Sequence, residues 1–202
     1  MHALLKCSRL IDWLNSQIGK HVIWLILAST VISALNAIVR KAFNISSNAY
    51  LEVQWYLFAA TFLLCAAYTL LNAEHVKIDV LYTHLSKRAQ MGVDIFGFAF
   101  FLTPFCVAIL WFSVPFFVKG FQSGEMSSNA GGLIRWPVYA MIPLGFGLLL
   151  LQGWSEIIKR VAFLLGLIED PTHKKIDKTP EEELAEAIQK LAEEKAAQAR
   201  TV

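Results

Sequence analysis

The chain has 202 residues, of which 56% are hydrophobic and only 17% charged, with a formal net charge of +2. Its mean hydropathy of +0.50 is high for a soluble domain of this size, and so weak a charge balance offers no footing for a nucleic-acid partner. Cys7, Cys65 and Cys106 are an odd set, two of them in apolar runs, and read as small apolar residues rather than a disulfide or metal framework.

Residues 1–20 form a charged lead-in, expected to be a cytoplasmic N-terminal segment, and residues 21–165 a membrane domain. Within it the apolar residues are blocked rather than spread, with runs over about 21–39, 53–71, 95–118 and 136–155 that contain no Asp, Glu, Lys or Arg. Each is long enough to span, since roughly 20 helical residues cross a hydrocarbon core of about 30 Å. Four buried helices of a soluble protein are the competing reading, but such helices are usually shorter and less regularly bounded by charges and aromatics. The first run is expected to be a retained helix and not a signal peptide, because its lead-in is long and Arg40-Lys41 stands where a small-residue cleavage site would be.

Basic residues alternate between the connecting segments. Lys6, Arg9 and Lys20, then Lys77, Lys87 and Arg88, then Lys159 and Arg160 with more beyond fall on one side, against Arg40, Lys41, Lys119 and Arg135 on the other. The imbalance predicts that both termini face the cytoplasm. Trp24, Trp55, Trp136 and Trp154 lie near span ends, where an amphipathic ring favours the headgroup layer.

The stretch between the second and third runs, Glu74-His-Val-Lys-Ile-Asp-Val-Leu-Tyr82, concentrates charge. Ile78, Leu81, Tyr82 and Leu85 recur at helical spacing, which predicts a short amphipathic cytoplasmic helix on the membrane surface, closed by Ser86-Lys87-Arg88. A sharper alternative is a metal site, since His75 and Asp79 are four apart with Glu74 and His84 nearby. A charged junction that fixes topology and docks on a neighbour explains Glu74, His75, Lys77 and Asp79 without a metal.

Residues 119–136 hold four glycines with Ser123, Ser127, Ser128 and Asn129, which predicts tight turns. Glu125 and the serines lack a histidine, so the nucleophile, base and orienter of a hydrolase are incomplete. A structured turn that meets another protein, using Gly124, Glu125, Ser127, Ser128, Arg135 and Trp136, is the simpler expectation.

The spans carry no mid-depth ionisable group of the kind that carriers and pumps use, and no facing histidines that would hold a haem. Glu52, Asp94 and Glu156 sit at span ends, and Glu156 with Lys159 and Arg160 reads as an interfacial cluster at helical pairing distance and as a candidate contact for a partner protein. Pro104, Pro115 and Pro143 are candidate kink positions. Residues 166–202 form a polar tail, expected to be partly helical from a Thr179-Pro180-Glu181-Glu182 capping start. No catalytic residue, cofactor or metal ligand is assigned.

Several stretches in order carry a family resemblance: "EHVKIDVLY" followed by "LSKRAQ", "FLTPF" in the third span, "SGEMSSNAGGLIRWP" leading into the fourth, and "IPLGFGLLLLQGWSEIIKR" within it. Over residues 20–165 the chain resembles the DctQ-like small integral-membrane subunit of tripartite ATP-independent periplasmic (TRAP) transporters. The resemblance implies a non-enzymatic role in a bacterial inner membrane. A soluble periplasmic protein would capture an organic anion, and a large multi-span permease subunit would carry it inward with sodium coupling by an elevator-like movement. The small subunit would pack on the static part of the large one, in contact with membrane lipids. A membrane anchor of a redox enzyme and a small stand-alone transporter are the alternatives.

Overall fold

The computed structural model describes residues 1–44, 47–72 and 85–169. Four long helices carry them, each long and apolar enough to cross a membrane. Helix α1 covers His2–Phe43 and α2 covers Asn48–Leu71. Helix α3 is continuous from Lys87 through Ser123, with a π-helical turn at Phe98–Leu102. Helix α4 covers Trp136–Leu164.

The ends of these helices follow from their residues. Asn44, in the left-handed region at φ 55°, stops α1, and Gly124 at φ 60° stops α3. Pro137 opens α4, where its missing N–H costs nothing. Ser86 caps α3 by accepting the Ala89 N–H at 3.3 Å, so Lys87 and Arg88 begin α3 instead of closing a preceding helix. The amphipathic helix expected around Ile78–Tyr82 and the tail beyond residue 169 lie outside the described residues. Pro104 comes just after the π turn, whose wider winding is tied by Thr103 Oγ1 donating to Phe98 O at 2.8 Å. Pro115 and Pro143 are absorbed inside α3 and α4.

No boundary separates residues 1–20 from the first span, because one helix carries both. Its 42 residues extend about 63 Å, roughly twice a hydrocarbon core, so a long stretch of α1 must lie outside that core.

Helix α4 is the hub, packing against α1, α2 and α3, while α1 and α2 pair with each other. Close approach rests on small residues: a Cβ added at Gly145 of α4 would stand 2.6 Å from the Leu63 carbonyl oxygen of α2. The interior is small and polar, with Ala67, Cys106, Ser155 and Gln152 fully buried, whereas Trp111, Phe112, Phe62 and Phe58 face outward. That inversion suits lipid as the surrounding solvent. Helix α3 leans on α4 and leaves a groove of about 720 Å³ toward α2, lined by Leu70, Phe98, Phe101 and Phe105 and reaching Asp94 and Arg160.

Candidate functional site

Polar side chains gather at the two ends of the bundle. Where α2 and α4 begin, the connection from α3 to α4 folds into a small hairpin. Arg135 N donates to Glu125 O and Ser127 N to Leu133 O, each at 2.9 Å, around an antiparallel bridge between Met126 and Ile134. Gly131, at φ 70°, makes the reversal.

Glu52, in the second turn of α2, holds this hairpin down. Its Oε2 accepts the Leu133 N–H at 2.6 Å, and its Oε1 accepts Asn129 Nδ2 at 2.9 Å and the Ser127 hydroxyl. The carboxylate is only 3% exposed and is satisfied by donors alone. Gly132 leaves it room, since a Cβ there would meet Glu52 Oε1 at 2.9 Å. Asn48 Nδ2 donates to Ala130 O and Tyr56 Oη to Ile134 O, both at 3.0 Å, which completes the seat.

Glu125 is not alone on this hairpin: Arg135 Nη1 lies 3.2 Å from its Oε1 and Tyr139 Oη donates to the same atom at 3.0 Å. The Tyr139 phenol, and then the Glu125 carboxylate, hold the Arg135 guanidinium above its ordinary pKa, so it stays cationic. Gly124 and Ser128 are exposed, Ser127 and Trp136 half-buried, and Ser128 takes no part in the clamp.

At the other end α4 joins α1 and α3. Glu156 bonds Lys159 and Arg160 along α4, as their spacing predicts. Arg160 Nε also reaches Asp94 of α3 at 2.8 Å, and its guanidinium lies 4.8 Å from the Phe98 ring centroid. Lys159 Nζ reaches Asp12 of α1 at 3.0 Å. Further along α1, Ser155 Oγ and Gln152 Nε2 donate to Asp12 Oδ1 at 2.8 and 2.9 Å, Asn15 Nδ2 donates to Gln152 Oε1 at 2.7 Å, and the Ser8 and Ser155 hydroxyls meet at 2.6 Å. Arg160 and Glu156 are 3% and 6% exposed, so this cluster is internal glue between three helices.

Glu74, His75, Lys77 and Asp79 lie outside the described residues. Of the clamp and the glue, sequence pattern points to Ser127, Glu125, Arg135, Glu156, Lys159 and Arg160 but gives no task to Asp12, Asn15, Glu52, Asp94, Asn129 or Gln152. One signal was available: Ser8, Asp12, Asn15 and Gly19 fall on a single helical face.

If the Glu52 clamp seats the hairpin, Glu52→Gln should release it, because the amide nitrogen would confront a donor where a carboxylate oxygen now accepts. Amide exchange at Leu133 and Ser127 should then speed about tenfold, with a smaller change in Asn129→Ala. Unchanged exchange at both amides would remove the clamp's role.

Four apolar helices, a polar interior of small residues and ionic clusters at both ends define a multi-pass integral membrane protein whose buried polar clusters join one element to another. The family described as tripartite ATP-independent periplasmic transporters, DctQ component, matches residues 29–163, and the chain belongs to that family, the small membrane component of TRAP transporters. No curated protein and no solved structure matches it.

Proposed function

We propose that this chain is the static footing on which a large TRAP permease subunit works during sodium-coupled uptake of an organic anion delivered by a periplasmic binding protein. The observation that carries the proposal is the family match over residues 29–163. The distribution of polar groups supports it. An anion crossing the bilayer needs positive charge or helix termini at mid-depth, and the charged side chains of the four helices stand outside their apolar runs, where those of the clusters hold one helix to another. An elevator needs a partner that keeps its shape.

In this reading the protein sits in a bacterial inner membrane with both termini cytoplasmic, as the basic residues argue. The hairpin bearing Gly124, Glu125, Ser127, Ser128, Arg135 and Trp136 faces the periplasm and meets the partner there. Glu74, His75, Lys77 and Asp79 dock on the cytoplasmic side, and Glu156, Lys159 and Arg160 brace the bundle.

The experiment is uptake by the reconstituted complex, measured alongside the quantity of complex in the membrane. Ser33→Ala, Thr61→Ala and Thr103→Ala should each leave the apparent substrate affinity within about twofold, because none of these groups meets substrate. A single substitution here that shifted substrate preference or ion stoichiometry at normal complex levels would put this chain in the pathway and end the footing role.

A further inference from the structure

Among residues 1–43, Asp12 is the one carboxylate-bearing side chain. The fold turns it inward, where Ser155, Gln152 and Lys159 of α4 bond it. Ser8 and Asn15, 1% exposed each, point the same way and lock the rotation of α1 about its axis. The opposite face is therefore left with a fixed content. Lys6, Arg9 and Lys20 are exposed on it, together with Leu10 at 63% and Trp13 at 59%.

This face is cationic with no acid of α1 to offset it, and its cations alternate with large apolar side chains. Water suits the cations and not the Leu and Trp. Hydrocarbon suits the Leu and Trp and not the cations. The headgroup layer suits both, because a Trp ring rests there and Lys and Arg stems reach past apolar neighbours to the phosphates. The same helix runs without a break into the apolar span, which brings this part to the edge of the hydrocarbon core.

We propose that the outer face of the first five turns of α1 is a binding surface for anionic phospholipids, with Lys6, Arg9 and Lys20 gathering the headgroups and Leu10 and Trp13 seated among the upper acyl carbons. The polar seam to α4 is what presents it, since a slip of α1 about its axis would turn Asp12 outward among the cations. The proposal needs the membrane and not the large subunit, and it holds on whichever side of the bilayer this end lies.

The test uses the full chain in nanodiscs of phosphatidylcholine doped with phosphatidylglycerol, bromine being placed on the acyl chains of one lipid or the other. The Trp13 signal is the difference between the unaltered chain and Trp13→Phe. Brominated phosphatidylglycerol should quench it about threefold more than the same fraction of brominated phosphatidylcholine, in keeping with several cations near an anionic surface. The excess should vanish in a Lys6→Gln, Arg9→Gln, Lys20→Gln variant, whose altered side chains are all exposed, and should shrink at high salt. Equal quenching by the two lipids would overturn the proposal, as would an excess that survives in the triple variant. Loss of Trp13 quenching when the large subunit is present in the disc would also overturn it, by showing that protein covers this face.

Discussion

Arg160→Met is expected to lower the stability of the chain by about 3–5 kcal/mol, read as a shift in the denaturation midpoint in detergent or in nanodiscs. Arg160 is 3% exposed and bonds two carboxylates, Asp94 on α3 and Glu156 on its own helix. Methionine fills the space without the charge, so the ion pair that ties α3 to α4 would be lost while Asp94 and Glu156, whose side chains are 10% and 7% exposed, stay largely buried. Lys159 still reaches Glu156 but bonds Asp12 as well, on the α1 side of α4. Adding Asp94→Leu to Arg160→Met should restore part of the loss, since an apolar pair in place of a buried ion pair is close to neutral, whereas half a pair is not. A loss under about 1 kcal/mol for the single substitution would class the pair with exposed ion pairs and remove it as the tie between α3 and α4.

The same residues show where sequence reasoning reaches and where it stops. The four spans were legible because a bilayer of fixed thickness demands a run of apolar residues that few other settings require. Glu156, Lys159 and Arg160 were legible as a cluster because helical spacing is local. Asp94 and Asp12 were not, since they stand 66 and 147 residues from their α4 partners and no periodicity announces a tertiary pair. Glu52 was seen as a charge at a span end, and its use as a clamp became visible only with the hairpin that folds onto it 75 to 81 residues later. Glu125 appeared isolated for a related reason: the glycine-rich turn predicted from composition is what brings Arg135 back beside it. Ser86 was read as the close of one helix and is the cap of the next, which is the usual weakness of a boundary between two helical patterns.

A pair of glycines two residues apart separates packing within the chain from packing against anything else. At Gly145 an added Cβ would lie 2.6 Å from Leu63 O and 2.9 Å from Leu63 C, both backbone atoms that no rotamer change can move. Gly145→Ala should therefore push α2 from α4 and cost about 1–3 kcal/mol. At Gly147 nothing stands within 4 Å of the added atom. There alanine should be neutral or stabilising by up to about 1 kcal/mol, since it lowers the entropy cost of a helical position. Measured on the chain alone, the two variants should differ in sign or nearly so, and equal midpoints would mean that α2 and α4 have slack the glycine contact denies. In the assembled complex the contrast becomes a map. Gly145→Ala should reduce complex in step with its own loss of stability, and Gly147→Leu should reduce complex at unchanged stability if the large subunit lies on that side of α4. Helix α4 already touches the other three, so a footing that used its outer strip as well would pass the partner's load to every helix of the bundle through one element.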